Sequence, residues 1–340
     1  MNNNNFEQNF QSNPYSYGSY NTPPIPPAEF FEKKAVRKTG TKVGISLIFF
    51  FASTLIISII IGFFSYILGN TQWLNDKFST LIVNIAATVI GFLGGGLLLS
   101  AITKGKKLIS YSLPQKGTLL PLTYIGIGFC YTANMAVSLM QSNLSFLGEL
   151  KGGDFDAPSG IFGFLFTVLA VAVFPAFLEE FFFRGVILGS LVKFGKPFAI
   201  FTSAVIFGLI HGNLIQIPFA FLVGLVLAFA VLESGSLWAG ILIHFINNFL
   251  SICFKYLQNY ANERVMNILF SLVILAAIGL GFLGLYLLCI RNKDLFNPKK
   301  TAHTSTSAQR FWWFISSPPI ITALVFVFLE ILLNQFMPAV

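Results

Sequence analysis

Long runs of apolar residues, separated by short polar segments, cover most of the chain beyond residue 42. A helix needs about 20 apolar residues to cross a hydrocarbon core roughly 30 Å thick. The pattern therefore predicts an all-α, polytopic transmembrane helix bundle of about nine spans, because polar or turn-forming residues separate the runs. The predicted spans are residues 43–68, 81–102, 119–139, 161 to about 193, 198–211, 214–232, 237–254, 266–290 and 320–336.

Composition and charge agree with a membrane protein and exclude other classes. Hydrophobic residues make up 55% and charged residues 10% of the 340 positions, which excludes an ordinary soluble globular protein. The formal net charge of +8 comes from basic residues between apolar runs, where they set orientation and contact anionic lipid headgroups rather than nucleic acid. Cys130, Cys253 and Cys289 lie in apolar runs, so neither a disulfide framework nor a CxxC metal site is predicted.

The same patterns divide the chain into four regions. Residues 1–40 comprise a polar tail, predicted to be disordered, and a basic juxtamembrane segment, while residues 41–140 carry three transmembrane helices. Residues 158–256 form a helical core, and residues 264–340 carry the C-terminal transmembrane helices with a basic loop. Because the first 40 residues lack an apolar core, we expect the first span itself to direct insertion.

Basic clusters predict which ends of the spans face the cytoplasm, since positive residues stay on that side. We therefore expect an integral protein of the cell membrane with a cytoplasmic N-terminus, and we expect the acidic connection 141–160 to be an outer loop. The clusters are Lys33, Lys34, Arg37, Lys38 and Lys42 before the first span, Lys104, Lys106 and Lys107 after the second, and Lys293, Lys299 and Lys300 before the last.

Candidate chemistry begins in the fourth run, whose segment FLEEFFFRG places Glu179, Glu180 and Arg184 among apolar residues. A charged side chain at the centre of a membrane helix costs about 2.5–3.5 kcal/mol unless it meets a partner. Glu180 and Arg184 are four residues apart and can neutralise each other on one helix face. Glu179 points about 100° away around the helix, so its partner must come from elsewhere in the chain. Pro175 lies one turn earlier, where we expect a kink or a break into two helices.

Two histidines at membrane depth are candidate partners for Glu179. Counted at 1.5 Å per residue, Glu179, His211 and His244 lie about 17, 21 and 11 Å from the predicted inner face, and so share one layer. Asn248 follows His244 by one turn and projects from the same helix face, whereas Asn247 is expected to point elsewhere. Phe207 precedes His211 by one turn, which predicts an aromatic ring beside that imidazole.

Each of these residues also has a structural interpretation. The Glu180 and Arg184 pair compensates itself and needs no chemistry, and a single histidine in a membrane helix often makes an interhelical hydrogen bond worth about 0.6 kcal/mol. A carboxylate, two imidazoles and an amide at one depth favour a functional site, since ionisable clusters inside membranes usually serve function.

The chain carries the order E-E-x-x-x-R, then F-x-x-x-H, then H-x-x-x-N, at Glu179, Glu180, Arg184, Phe207, His211, His244 and Asn248. This order resembles the CPBP family, the CAAX-protease and bacteriocin-processing family. The resemblance covers about residues 161–254 and implies an intramembrane protease with a four-helix catalytic core. It implies that Glu179 and His211 activate a water, that His244 and Asn248 stabilise the oxyanion, and that Glu180 with Arg184 positions the first group. Phe207 completes the motif as structural support. If a divalent metal such as zinc is present, Glu179, His211 and His244 would be its ligands.

Three functions remain open from the sequence. The first is an endopeptidase that cleaves a peptide or protein substrate near a hydrophobic or lipidated segment, with membrane lipid as its other partner. The second is a non-catalytic binding protein, such as a bacteriocin self-immunity factor, which the same resemblance permits. The third is a transporter that uses the cluster as a proton relay, although no repeat of paired interrupted spans stands out.

Overall fold

The computed structural model describes residues 27–67, 69, 72, 76–104, 109–144, 157–291 and 303–336. Within these ranges the fold is all helical, which confirms the predicted polytopic helix bundle. The predicted disordered tail before residue 27 lies outside the described residues. So do the charged residues of the acidic connection, together with Lys106, Lys107, Lys293, Lys299 and Lys300.

Ten helices make up the described part of the chain, and eight of them are long and apolar enough to cross a membrane. They are α1 (Ala28–Ile67), α2 (Lys77–Thr103), α3 (Leu119–Leu144), α4 (Gly160–Phe194), α5 (Lys196–Leu209), α6 (Gln216–Ser234), α7 (Leu237–Leu257), α8 (Glu263–Arg291), α9 (Ser307–Ile315) and α10 (Pro318–Phe336). The predicted span 198–211 corresponds to α5, whose 14 residues make it shorter than a full span. At 1.5 Å per residue such a helix covers about 21 Å, so it ends inside a bilayer.

Contacts between helix ends bring much of the positive charge to one end of the bundle. Lys42 in α1 donates to the carbonyl of Ile102 at 2.6 Å, and Lys196 at the start of α5 pairs with Glu233 near the end of α6 at 2.9 Å. Arg310 in α9 donates to the carbonyl of Phe194, the last residue of α4. We call this side, with Lys42, Lys104, Lys116, Lys196, Arg291 and Arg310, the basic end.

Helix α4 lies at the centre of the bundle, in contact with α2, α5, α6 and α7. Toward the basic end its side chains are fully enclosed, because Phe182, Phe183, Ile187 and Leu188 have no exposed surface. The helix continues through Pro175 without breaking into two, but π-helical segments flank that region at Val168–Val173 and Glu180–Leu188. The expected irregularity therefore takes the form of wider helical turns, which often occur at functional sites.

Candidate active site

A buried ion pair lies behind the site. Arg184 Nη1 donates to Glu180 Oε1 at 2.7 Å, and both side chains are 0% exposed, so the predicted neutralisation within one turn is confirmed. Arg184 also donates through Nη2 to the carbonyl of Gly224 at 3.4 Å, and its guanidinium lies 4.2 Å from the centre of the Phe207 ring. The second oxygen of Glu180 lies against Gly240, where a Cβ atom would come within 2.5 Å of it. Glycine at position 240 therefore makes room for the carboxylate.

His244 in α7 lies between the two glutamates of α4. Its Nδ1 is 3.0 Å from Glu180 Oε1, and its Nε2 is 4.0 Å from Glu179 Oε2. The imidazole is buried, and the edge of the Phe207 ring packs against it with 6.0 Å between ring centres. Glu180 therefore contacts His244, rather than the Glu179 and His211 group that the family resemblance assigned to it.

His211 follows the end of α5, where helix geometry leaves carbonyl groups without intrahelical donors. Its Nδ1 lies 2.8 Å from the carbonyl of Phe207, one turn earlier. Because a carbonyl only accepts, Nδ1 carries the proton, and Nε2 of the neutral ring is left as an acceptor. The Phe207 ring packs edge-on against this imidazole at 5.1 Å, as the sequence spacing predicted.

Asn248 connects α7 to the irregular part of α4. Its Nδ2 donates to the carbonyl of Val171 at 2.9 Å. In a regular α-helix this carbonyl would accept from residue 175, but Pro175 has no N–H group. Asn247 in turn donates to Asn248 Oδ1 at 3.1 Å. The amide of Asn248 is thus held at a fixed place by two neighbouring groups.

One cavity of about 300 Å³ brings most of the predicted site residues together. Glu179, Phe207, His211, His244 and Asn248 all line it, whereas Glu180 and Arg184 are not among its lining residues. Polar residues that the sequence analysis did not place in the site also line it, namely Gln216, Asn247 and Ser251.

The expectation that Asn247 points elsewhere is wrong, since this residue lines the cavity and bonds to Asn248. Residues 244, 247, 248 and 251 follow the spacing i, i+3, i+4, i+7, which places all four on one helix face. This spacing was the signal in the sequence that could have identified both Asn247 and Ser251.

Glu179 differs from Glu180 because its side chain lines the cavity, whereas Glu180 is not among the lining residues and pairs with Arg184. The Oε2 atom of Glu179 is buried and has no hydrogen-bond partner among the described residues. Glu179 and His211 share the cavity, but no direct hydrogen bond joins them in the described part of the chain. A small polar molecule such as water fits between such groups, since buried waters bridge polar atoms that otherwise lack partners.

The predicted zinc ligands, Glu179, His211 and His244, all line the cavity, yet their arrangement does not fit a metal ion. Among the described residues no group of three His, Cys, Asp or Glu side chains could hold one. Zinc at these residues stays a prediction, which metal analysis of purified, active protein tests. A metal close to one equivalent that disappears in His211→Ala would support it.

Comparison with known proteins matches residues 161–250 to the Rce1-like family model, described as type II CAAX prenyl endopeptidase Rce1-like. The matched residues run from the start of α4 into α7 and contain every residue of the proposed site. They cover 90 of 340 positions, about a quarter of the chain. No curated protein and no solved structure matches. At the level of the family, the match indicates a membrane peptidase.

We expect each charge of the Glu180 and Arg184 pair to destabilise the fold when its partner is removed. Arg184→Ala leaves a carboxylate buried without its cation, which should cost about 3–5 kcal/mol of stability and lower the yield of monodisperse protein. The double variant Glu180→Gln, Arg184→Ala removes the charge conflict and should recover much of this loss. Thermal unfolding in detergent measures both.

The exposed pair of Lys196 and Glu233 is the matched control, because Lys196 is 55% exposed. Lys196→Ala should cost less than about 1 kcal/mol. Equal losses for Arg184→Ala and Lys196→Ala, or a single variant as stable as the double variant, would contradict the buried pair.

Proposed function

We propose that this chain, whose residues 161–250 belong to the Rce1-like family, is a membrane endopeptidase that hydrolyses peptide bonds inside its cavity. The observation that carries the proposal is a buried carboxylate, two imidazoles and an amide lining one cavity within a bundle of apolar helices. Peptide hydrolysis needs a base that activates water and donors that stabilise the tetrahedral oxyanion. This set of side chains can supply both.

Glu179 is the proposed general base. Its open oxygen accepts a proton from a water held between it and Nε2 of His211, and the water oxygen attacks the carbonyl carbon of the peptide. Glu179 then passes the proton to the leaving amide nitrogen, and the C–N bond breaks to give a carboxylic acid and an amine. The orphaned oxygen of Glu179 and the acceptor state of His211 support this assignment.

His244 and Asn248 are the proposed oxyanion donors. The Nδ1 atom of His244 faces the carboxylate of Glu180, which only accepts when ionised, so this nitrogen carries a proton. Donation from Nε2 to an oxyanion then requires the imidazolium form of His244, whose two ring nitrogens face the carboxylates of Glu180 and Glu179. One N–H of the Asn248 amide donates to Val171, and the second N–H is left for the oxyanion.

Glu180 and Arg184 act as positioning residues in this proposal, since neither is among the residues that line the cavity. Glu180 fixes the ring of His244 by a direct contact, and Arg184 fixes Glu180. No step of this proposal passes through a metal ion, because among the described residues Glu179, His211 and His244 are not arranged to hold one.

The proposed substrate is a peptide or protein with a hydrophobic or lipidated segment, because apolar membrane helices surround the cavity. The proposed location is the cell membrane, with the N-terminus and the basic end toward the cytoplasm. Bacteriocin processing or immunity would be one biological use of such an activity.

Glu179→Gln tests the proposed base. The amide keeps the size of the side chain but cannot take a proton from water, so hydrolysis should fall by at least about 10²-fold, the lower range for loss of a general base. The measurement is cleavage of a quenched peptide library with hydrophobic or lipidated ends by purified protein in detergent.

Glu233→Gln is the control, since Glu233 pairs with Lys196 away from the cavity, and it should retain full hydrolysis. Full turnover by monodisperse Glu179→Gln would contradict the protease mechanism and favour binding or transport.

Asn248→Ala tests the second oxyanion donor. Loss of one such donor costs about 10²–10³ in turnover elsewhere, and we expect a loss of this size with little change in KM. Asn267→Ala in α8 is the matched control, because it is the same substitution at a residue that is not among those lining the cavity. Similar losses of turnover in the two variants would contradict the assignment of Asn248 as an oxyanion donor.

A further inference from the structure

The cavity has a floor and a mouth at different heights in the bundle. Glu179 and His244 form the floor, because they are the lining residues nearest the basic end on α4 and α7. The other lining residues of these helices lie progressively farther from that end, in the order Pro175 then Val171 on α4 and from Asn247 to Ile252 on α7. The cavity therefore extends from the catalytic layer toward the opposite end of the bundle.

The side of the floor that faces the basic end is closed. The Glu180 and Arg184 pair lies there with 0% exposure. Toward the basic end follow fully buried apolar side chains with no exposed surface: Phe183, Ile187, Leu188, Leu191, Val231 and Leu237. A close-packed layer of this kind leaves no path for a peptide from the basic end.

The mouth lies near the opposite end. Ser251 is exposed and lines the cavity 14 residues beyond Leu237, which at 1.5 Å per residue is about 21 Å from the basic end of α7. Gln216 lines it 18 residues before Ser234, about 27 Å from the basic end of α6. Since the hydrocarbon core is roughly 30 Å thick, both residues reach close to the far interface.

Polar side chains line one part of the route from mouth to floor, beside apolar ones such as Phe219 and Ile252. Gln216, Asn247 and Ser251 lie between the far end and the catalytic layer, and none of them has an assigned role in the chemistry. A peptide that enters a membrane in extended form needs partners for its backbone N–H and C=O groups. Amide and hydroxyl side chains supply both donors and acceptors for such a chain.

We infer that the substrate enters from the face of the membrane away from the cytoplasm, and that it is an extended peptide segment of an exported polypeptide. The direction follows from a mouth opposite the basic end, together with the rule that basic ends stay in the cytoplasm. This inference rests on the proposed peptidase function for the nature of the ligand. It excludes a cytoplasmic lipidated C-terminus as the substrate of this site.

Labelling of single cysteines tests the direction of access. In the full chain with Cys130→Ala, Cys253→Ala and Cys289→Ala, Ser251→Cys places a thiol at the mouth. Ser112→Cys, an exposed position in the segment that joins Ser236 at the basic end, is the matched control. The probe is a charged, membrane-impermeant maleimide applied to intact cells and to inverted vesicles.

We expect the maleimide to label Ser251→Cys in intact cells at least tenfold faster than in inverted vesicles, and Ser112→Cys with the opposite preference. Labelling of Ser251→Cys mainly in inverted vesicles, or from neither side, would overturn the inference. Peptide hydrolysis is scored separately with the natural cysteines in place. A protein that shows the expected labelling but hydrolyses no peptide would contradict the peptidase function while leaving the direction of access in place.

Discussion

The buried pair of Glu180 and Arg184 is the interaction on which the site depends. Two charges without exposed surface are costly in a membrane protein and persist only with close partners. Here the partners come from the three helices that surround α4: the carbonyl of Gly224 in α6, the ring of Phe207 in α5 and the imidazole of His244 in α7. One ion pair therefore fixes the relative positions of the four helices that carry the site.

Several local features of the chain make room for this arrangement. Gly240 lets α7 approach the carboxylate of Glu180, and Pro175 frees a carbonyl of α4 that Asn248 then occupies. Glu179 Oε2, Glu180 Oε2 and Arg184 Nε are buried and have no hydrogen-bond partner among the described residues. Such atoms are rare in proteins, and of these three only Glu179 Oε2 belongs to a residue that lines the cavity, where a water molecule can satisfy it.

The sequence allowed prediction of those parts of the site that depend on local spacing. The Glu180 and Arg184 pair and the Phe207 and His211 contact each follow from a separation of four residues on one helix, and both are present. The apolar runs likewise predicted the helices, although α5 is shorter than a full span and α9 was not predicted. Depth counting suggested that Glu179, His211 and His244 share a layer, and all three line the cavity.

Contacts between helices could not be read from spacing alone. The contact of Glu180 with His244 depends on how far α4 and α7 rotate against each other, which the sequence pattern does not specify. The wrong expectation for Asn247 has another cause, because the face of α7 that lines the cavity includes residues 244, 247, 248 and 251 and is wider than the i, i+4 pair of His244 and Asn248. The route from the far end emerges only when the positions of the helix ends are known.

The central claim is that the buried pair serves catalysis through His244, and a double-mutant cycle on hydrolysis tests it most directly. The kcat/KM of Glu180→Gln, His244→Ala and the double variant would be compared with that of the natural protein, each shown to be monodisperse. If Glu180 acts by holding His244, Glu180→Gln lowers kcat/KM in the natural background but has almost no further effect beside His244→Ala. Equal losses in both backgrounds would contradict the claim and leave Glu180 and Arg184 as a structural pair alone.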